Sequence, residues 1–476
     1  MRKLSCLLFP MVLIGCSYFS PDYQKPELNT PSHWNATNTN LAPISESLPY
    51  LAWWQKFNDP ELNRVIESGL KNNVNIEAAK ANLEAAQGQL LTVKLNWIPF
   101  FSVFGGYVNG SSQNSFTPIG NLGVVNNTGA FFALLPTYAI NVFTNYTLQK
   151  QAQYGVDAAK NAELSVRLAV IGQVTGAYFA NLAQIRLVEQ FTELHNDLGE
   201  LTAISQAMDK RGLANQLSVD ELKSKQQLVA GQLALAKKNL TATQNALRYL
   251  LNQTPGEVKS TNKFAAINPN QVIPGNLPVS VLAGRPDVMK AEDQLKAANE
   301  GISVASSALL PSVNLNYFYA SGSGTQGFNQ PVPNVNVANS NQQSYYAAYA
   351  NWTISPSVFG QINTNTAVFK AALANYKMVV NSALHEVDNA LATNNGYNQK
   401  MTSDMGALQS LQDSLDAKQA MYKRGLTPYV LVLGAKIEQD ILAIDITQTK
   451  LQQLISLVSL YQSLGGGYQT AANSSS

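Results

Sequence analysis

The chain has 476 residues and nearly balanced charge, with 32 basic and 30 acidic side chains that together make up 13% of the sequence. Such sparse and balanced charge is not that of a nucleic-acid-binding protein or of a polybasic membrane-surface protein. Hydrophobic residues make up 45%, and beyond the N-terminal segment no uninterrupted apolar run reaches the roughly 18 to 20 residues of a membrane-spanning helix. If the protein crosses a bilayer, we expect it to do so by β-strands.

The N-terminal segment is predicted to be a signal peptide covering residues 1–15. Arg2 and Lys3 precede a mostly apolar stretch, which ends at Gly15 just before Cys16. A small residue before a cysteine resembles the bacterial lipobox, so we expect Cys16 to be the first mature residue, acylated with a lipid such as palmitate. A signal peptide with an incidental cysteine is the alternative. Ser17, rather than Asp, favours the outer membrane.

The mature chain is predicted to contain no disulfide and no thiolate metal site, because the second cysteine, Cys6, lies in the segment to be removed. Residues 16–58, rich in Pro, Asn, Ser and Thr, are predicted to form an extended, lipid-anchored tether. Helical periodicity then begins at Pro60. A second helix is predicted from about Asn75 to Asn96, where Pro99 ends it.

Each half of the chain is predicted to supply one β-hairpin. Residues 312–319 alternate between apolar and largely polar side chains, and period two with one polar face is typical of a membrane barrel strand. This hairpin is expected at about 312–354, with its second strand at 345–354. The first-half hairpin is expected at about 100–147, with strands at 101–109 and 138–146. The connecting segments are rich in Gly, Asn, Ser and Pro, as in exposed loops.

Two long helical hairpins are predicted at about 149–252 and 357–464. No proline occurs between Pro136 and Pro255. Apolar residues follow a heptad pattern in the second arm of each hairpin, which is typical of coiled coils: Leu222, Val229, Leu233, Ala236, Leu240, Thr243, Leu247 and Leu250, then Ile437, Ile441, Ile444, Gln448, Leu451, Ile455 and Val458. An arm of about 60 residues reaches roughly 90 Å.

The sequence contains an internal repeat. The segment 83–86 returns at 295–298, and the segment 207–213 returns in similar form at 420–426, at offsets of 212 and 213 residues. We therefore predict a first repeat over 59–265, a second over 266–467 and a disordered tail at 468–476. The predicted fold class is mainly α with a membrane β-barrel, built from duplicated helical hairpins and β-hairpins.

Four strands cannot close a barrel by themselves. Open strand edges in hydrocarbon leave backbone donors and acceptors unpaired, at several kcal/mol each. We therefore expect the chain to form a homotrimer, whose twelve strands lie within the known range of membrane barrels.

Several motifs resemble those of one family. The segments 53–59, 276–278, 285–287 and 464–468 are similar to those of the outer-membrane factor lipoproteins of the TolC, NodT and OprM-like type. The resemblance implies a trimeric, twelve-stranded outer-membrane barrel on an α-helical periplasmic tunnel. It also implies the exit duct of a tripartite efflux or type I secretion system, with a periplasmic adaptor, an inner-membrane transporter and outer-membrane lipid as partners, and no nucleic acid.

The motif residues also have structural interpretations. Trp53 and Trp54 are expected to be packing anchors. Pro286 and Asp287 suit a helix start, and the glycines at 465–467 suit a helix end. No catalytic constellation, cofactor or metal site is predicted, because the three histidines are far apart without suitable partners.

The functional residues are expected at two Arg-Gly-Leu turns, which the family resemblance places at the periplasmic tips where the tunnel closes and the adaptor docks: Arg211, Gly212, Leu213, Arg424, Gly425 and Leu426. Many relatives carry an Asp soon after the second turn, where this chain has Gly434. We therefore predict Asp220 or Glu221 as gate charges that pair with Arg211 or Arg424. Ordinary solvated helix charges are the competing interpretation.

Two other functional classes are possible for such a sequence pattern. A structural or adhesive coiled-coil stalk without a channel is the alternative, and an envelope hydrolase has no supporting residues.

Overall fold

The computed structural model describes residues 23–27, 34, 48–108, 111–112, 125–126, 129–258, 263–269, 279–322, 342–352 and 355–469. The predicted signal peptide, Cys16 and most of the predicted tether lie outside the described residues. The described chain is mainly α-helical.

Seven α-helices lie in the described part of the chain: α1 Pro60–Asn72, α2 Val74–Leu95, α3 Val142–Asp209, α4 Gln216–Leu250, α5 Pro286–Ser307, α6 Ser357–Lys423 and α7 Tyr429–Ser463. Their lengths recur in the second half of the chain. Helices α2 and α5 each have 22 residues, α3 and α6 have 68 and 67, and α4 and α7 each have 35. The repeated lengths match the internal similarity of the sequence.

Side-chain caps set several helix starts. Asp59 accepts hydrogen bonds from the backbone N–H groups of Glu61 and Leu62, both at 3.0 Å, ahead of Pro60 in the first turn of α1. Asn215 caps α4 in the same way through the N–H of Ser218. Such caps stabilise a helix by about 1 kcal/mol each.

One predicted strand is wrong in its second half. The strand expected at 138–146 ends at Ile140, and α3 begins at Val142. Asn141 accepts a hydrogen bond from the N–H of Thr144 at 3.1 Å, so it acts as a helix cap. This local cap outweighs the apolar alternation that indicated a strand.

Six strands lie in the described part: β1 Phe100–Val108, β2 Ser111–Ser112, β3 Val125–Asn126, β4 Gly129–Ile140, β5 Ser312–Gly322 and β6 Gln342–Asn351. Four of them form an antiparallel sheet in the order β1-β4-β5-β6, and β2 pairs with β3. The sheet therefore combines one hairpin from each half of the chain. Strands β1 and β6 lie at its edges.

The register of the sheet places apolar residues on one face. Residues 101 and 103 of β1 pair with 136 and 134 of β4. On the same face, residues 138 and 140 of β4 pair with 315 and 313 of β5, which pair in turn with 348 and 350 of β6. Directly opposite residues share a face. Phe101, Val103, Val313 and Leu315 are all exposed on this face, by 41% to 65%.

The chain divides into two compact units that do not follow the sequence repeats. The first contains 1–26, 84–157 and 293–374, and the second contains 27–83, 158–292 and 375–476. Each unit therefore draws on both halves of the chain. In the first unit, the Nδ2 of Asn141 donates to the carbonyl oxygens of Ser307 and Leu310, both at 3.1 Å, which ties the end of β4 to the end of α5.

In the second unit, the N- and C-terminal segments pack together around aromatic rings. Trp53 is fully buried and stacks on Tyr461 with ring centroids 4.8 Å apart. The N–H of Gly467 donates to the carbonyl of Leu48, and the N–H of Gln469 to that of Pro49. Both tryptophans of the motif are buried, as expected for packing anchors.

The prediction of a disordered tail from residue 468 is wrong at its start. Tyr468 is 2% exposed, and its hydroxyl donates to the carbonyl of Gly284 at 2.7 Å. Its aromatic ring packs in the same buried region as the two tryptophans, and the composition of a short terminal segment does not reveal such packing. The predicted tether is likewise not wholly extended, because 3-10 helical turns lie at Leu48–Tyr50 and Trp53–Phe57.

Helix α7 lies between two neighbours of different character. Towards α3 it packs through a leucine-rich cluster that includes Leu194, Leu198, Leu433 and Ile437 and also receives Leu222 from α4. Towards α6 it makes a smaller apolar cluster with Leu415 and a row of polar contacts. The order of contact is therefore α4, α3, α7, α6.

The predicted heptad pattern of α7 is only half buried. Ile437, Ile444, Leu451 and Val458 are buried, whereas Ile441 is 55% exposed and Gln448 and Ile455 are exposed as well. Helix α7 packs against α3 on one side and against α6 on another, so both helices bury its residues. Residues 441, 448 and 455 face neither of them.

One described helix is apolar enough to cross a membrane by length and composition. An 18-residue window of α3 has a mean hydropathy of 1.2, and 56% of that window is buried inside the protein. Core helices of soluble domains have the same properties.

Candidate functional site

The two Arg-Gly-Leu segments form equivalent turns between helices. The N–H of Gly212 donates to the carbonyl of Asp209 and that of Leu213 to the carbonyl of Met208, at 2.8 and 2.9 Å. The bonds from Gly425 to Tyr422 and from Leu426 to Met421 have the same two lengths. This pair of bonds is the Schellman motif that ends a helix.

Glycine is required in both turns by the backbone, not by space. The φ angles of Gly212 and Gly425 are 72° and 71°, in the left-handed region. A Cβ atom at either position would meet no other heavy atom within 4 Å. Leu213 and Leu426 then follow with their side chains about two-thirds exposed.

The predicted gate charges are not brought together with the turn arginines in the described part of one chain. Asp220 accepts from Gln216 Nε2 at 2.9 Å and lies 3.4 Å from Lys223 Nζ, both on its own helix. Glu221 is exposed. No described acidic side chain lies within ion-pair distance of Arg211 or Arg424, which are also exposed.

Sequence reasoning missed a charged contact between α3 and α7. Lys436 Nζ lies 2.8 Å from Asp197 Oδ2. Asp440 follows Lys436 one helical turn later on α7. Because Asp197 lies 239 positions before Lys436, only the packing of α3 on α7 reveals this ion pair.

The environment of this contact shifts the pKa values of its groups. Burial, and then the neighbouring carboxyl of Asp197, raise the pKa of Asp440 to about 7. The hydrogen bond to Asp197 raises the pKa of Lys436. Nearer the turn, partial burial and then the charge of Glu200 raise the pKa of Tyr429.

A row of polar contacts joins α6 to α7. Lys400 Nζ lies 2.7 Å from both Asp404 Oδ2 and Asp445 Oδ2, and Thr449 donates to the same oxygen of Asp404. The hydrogen bonds with Asp404 and Asp445 raise the pKa of Lys400. Farther along the same interface, Gln453 donates to Asn398, Asn394 donates to Ser456, and Gln439 donates to Gln412.

Arg285 joins three helices in the second unit. Its guanidinium donates to both carboxylate oxygens of Asp287 at the start of α5, to Glu386 of α6 and to the carbonyl of Ser463 at the end of α7. Pro286 begins α5 as predicted. A cleft of about 540 Å³ beside this cluster is lined by small and polar side chains such as Ser165, Thr393 and Ser459.

The glycines at 465–467 do more than end α7. Gly465 has a φ of 72° and closes a Schellman motif, as the sequence predicted. A Cβ atom on Gly467, however, would lie 2.6 Å from the ring of Trp54. This glycine therefore makes room for the N-terminal segment.

Comparison with known proteins identifies the family. The model of the outer membrane efflux protein family matches residues 65–253 and 277–466, which is well over half of the chain. The chain therefore belongs to the outer membrane efflux protein family. It is an outer-membrane channel component of an efflux system, and its relatives are channel and transport proteins, not enzymes.

Individual relatives cover nearly the whole chain. The toluene efflux pump outer membrane protein TtgC of Pseudomonas putida is 26% identical over 98% of this chain and 95% of its own length. The probable outer membrane lipoprotein SilC of Salmonella typhimurium is 24% identical over 98% and 99%. The open state of the MtrE outer membrane channel of Neisseria gonorrhoeae shares the fold, with a TM-score of 0.77 over 94% of this chain and 98% of that chain at 19% identity.

Proposed function

We propose that this protein is the passive exit duct of a tripartite efflux system, through which small molecules such as drugs cross the outer membrane. It works as a homotrimer with a periplasmic adaptor and an inner-membrane transporter, and is anchored by acylated Cys16. The observation that carries the proposal is the four-stranded sheet, which has one exposed apolar face and two edge strands.

The sheet suits a closed barrel made by three copies. Strands in hydrocarbon must satisfy every backbone donor and acceptor by pairing with other strands. Pairing β1 of one copy with β6 of the next closes a ring of twelve strands, within the range of membrane barrels. Phe101, Val103, Val313 and Leu315 then face lipid, and Ser102 and Asn314, which alternate with them, face the lumen.

The helices supply a matching lateral surface. Because the order of contact is α4, α3, α7, α6, a ring of protomers brings α4 of one copy against α6 of the next. Leu228, Leu235, Ala242 and Tyr249 recur every seven residues on the exposed side of α4. Such a stripe is the seam that a neighbouring helix covers in a coiled coil.

The two turns are proposed to be the site of adaptor docking and closure. Each presents an exposed arginine and an exposed leucine where a helix ends at a glycine. In the trimer, Asp220 or Glu221 of one copy pairs with Arg211 or Arg424 of another, since neither arginine has an acidic partner within the described part of its own chain. The competing interpretation, that these are solvated charges, predicts no change in conductance on their removal.

The proposal is tested by reconstituting the purified full chain into planar lipid bilayers and liposomes. We expect a trimeric mass, solute flux, and higher resting conductance for Arg424→Ala. Leu315→Arg should reduce insertion, because a charge on the lipid-facing side costs about 2–4 kcal/mol near the bilayer centre. Asn314→Arg is the matched control, adjacent in β5 on the opposite face, and should still insert.

A stable monomer that conducts nothing would refute the duct and favour a stalk without a channel. Equal insertion of the two arginine variants would show that the apolar face of the sheet is not in contact with lipid.

A further inference from the structure

The four-stranded sheet and the segments that connect its strands consist entirely of uncharged residues. Every side chain in 95–149 and in 301–369 is neutral at physiological pH, and all 32 basic and 30 acidic side chains of the chain lie outside these two ranges. The ranges contain β1, β4, β5 and β6 and also the residues between them, 109–128 and 323–341. The charge of the chain is therefore confined to its other parts, mainly the long helices.

Contact with lipid explains this composition on only one face of the sheet. A charged side chain is costly on the lipid-facing side of a barrel strand, whereas the lumen-facing side tolerates it. Because side chains alternate along a strand, half of the strand positions are free of that constraint. Connections between barrel strands lie in water, so they are free of it as well. The neutral composition therefore extends to positions that the bilayer does not restrict.

The face of the sheet opposite to the apolar one presents a row of neutral side chains. In the register, Ala139 of β4 pairs with Asn314 of β5, which pairs in turn with Tyr349 of β6. Directly opposite residues share a face. Ser312, two positions before Asn314, lies on this face too, and so does Ser102 of β1. The Asn, Ser and Tyr side chains offer hydrogen-bond donors and acceptors without a charge.

The helix ends beside the sheet have offsetting dipoles. All four strands meet the helices at one end of the sheet, where α2 and α5 end and α3 and α6 begin. Helix starts carry a positive partial charge and helix ends a negative one, so two of each offset one another.

The nearest charged residues lie on the helices. Lys150 of α3 lies 4.0 Å from Glu300 of α5, so these two charges are paired. Lys94 and Lys370 are exposed and lie on α2 and α6, beyond the ends of the strands. At physiological salt a solvent-exposed charge is screened beyond about 8 Å, so these lysines have little effect past the first residues of the strands.

We propose that the barrel is a neutral, hydrogen-bonding exit that passes cationic, anionic and uncharged solutes alike, so that any discrimination by charge belongs to the helical part of the duct. This inference rests on the proposed function, because only a closed ring of strands encloses a lumen. A cleft lined by charges of one sign concentrates solutes of the other sign. A wall of Asn, Ser and Tyr side chains favours neither sign, so the barrel selects by size.

A single cysteine in the lumen measures the local electrostatic potential. The only cysteine of the predicted mature chain is Cys16, whose sulfur carries the lipid, so Asn314→Cys adds one free thiol and the parent is the blank. The full-length trimer in uncharged detergent is treated with a cationic and an anionic methanethiosulfonate of similar size. The thiolate attacks the reagent sulfur, a mixed disulfide forms and methanesulfinate leaves. We expect the ratio of the two rates to lie within about threefold of the ratio for a small thiol in solution.

Ser312→Asp in the Asn314→Cys chain supplies the charged reference. Residue 312 lies roughly 7 Å from 314 on the same face, and the trimer brings one carboxylate from each copy. The ratio should shift about tenfold towards the cationic reagent, whereas Ser312→Asn, the matched neutral control, should leave it unchanged. If Asn314→Cys alone already favours one reagent tenfold, the lumen is charged and the proposal is wrong. If the aspartate does not shift the ratio, the two positions do not share a lumen and the proposal is wrong as well.

Conductance in planar bilayers separates this inference from the proposed duct. Modification at position 314 should lower the conductance of each channel. A trimer that conducts but reacts with strongly unequal rates supports the duct and refutes the neutral barrel, whereas a chain that conducts nothing refutes the duct. Ser102→Cys on β1 is the second variant for the case in which Asn314→Cys does not assemble, and the same ratio of rates is expected there.

Discussion

At the scale of single residues, backbone conformation decides where the helices end. Gly212 and Gly425 adopt positive φ, and so do Asn252 and Gly465 at the far ends of α4 and α7. Both pairs are separated by 213 residues, so the repeat preserves four left-handed helix ends. Asparagine replaces glycine at one of them, which is the substitution that this conformation tolerates best.

Replacing Gly425 by Ala tests this requirement. We expect the free energy of unfolding in detergent to fall by about 1 kcal/mol, because a Cβ atom is strained at positive φ. Gly231→Ala is the matched control, since Gly231 lies inside α4 and a Cβ atom there also meets open space. It should raise the free energy of unfolding by about 0.5–1 kcal/mol.

Denaturant titration of the two variants measures both effects. Changes of the same sign would mean that the positive φ does not limit position 425.

At the scale of elements, α7 packs against two neighbouring helices. Towards α3, buried leucines and isoleucines form an apolar cluster on the same two helices as the Lys436–Asp197 ion pair. Towards α6, a smaller apolar cluster of Leu415, Val432 and Ala435 accompanies buried hydrogen bonds such as that from Asn394 to Ser456. Both interfaces therefore combine apolar packing with polar contacts.

The exposed stripe of α4 makes a prediction about association. Leu228→Glu combined with Leu235→Glu should dissociate the trimer, because two charges cannot be buried in an apolar seam without partners. Lys225→Glu combined with Lys237→Glu changes exposed charges of the same helix and should leave the trimer intact. Light scattering in detergent gives the mass of each variant. Unchanged trimers in the first variant would mean that the stripe faces solvent.

At the scale of the whole chain, residues 48–57 and 461–469, which are far apart in the sequence, form one core. Backbone bonds from Gly467 and Gln469 reach Leu48 and Pro49, and Trp53 stacks on Tyr461. The core around Trp53 can form only after the C-terminal segment has been made, because residues 461–469 supply its other side.

Truncation tests this dependence. A chain ending at Ser463 should lose the packing of residues 48–57, which should become sensitive to protease. A chain ending at Gln469 keeps both backbone bonds and should remain resistant. Limited proteolysis with mass spectrometry compares them, and equal resistance would show that the C-terminal segment does not hold the N-terminal one.

Much of the architecture could be predicted from the sequence because local forces decide it. The glycines fix the turns through φ, Pro286 fixes a helix start, and alternation identifies β5. The misplaced strand at 138–146 is instructive, because Asn141 is also a local signal that indicates a helix cap.

The sequence by itself determined the duplication, the helical arms, three of the four strands of the sheet and the glycine turns, because each depends on contacts between residues close in the chain. Only the tertiary structure decided that Ile441 is exposed while Ile444 is buried, that Tyr468 is buried, and that Lys436 pairs with Asp197. These outcomes depend on which distant helices lie side by side, and a periodic pattern marks an apolar face without saying which partner covers it.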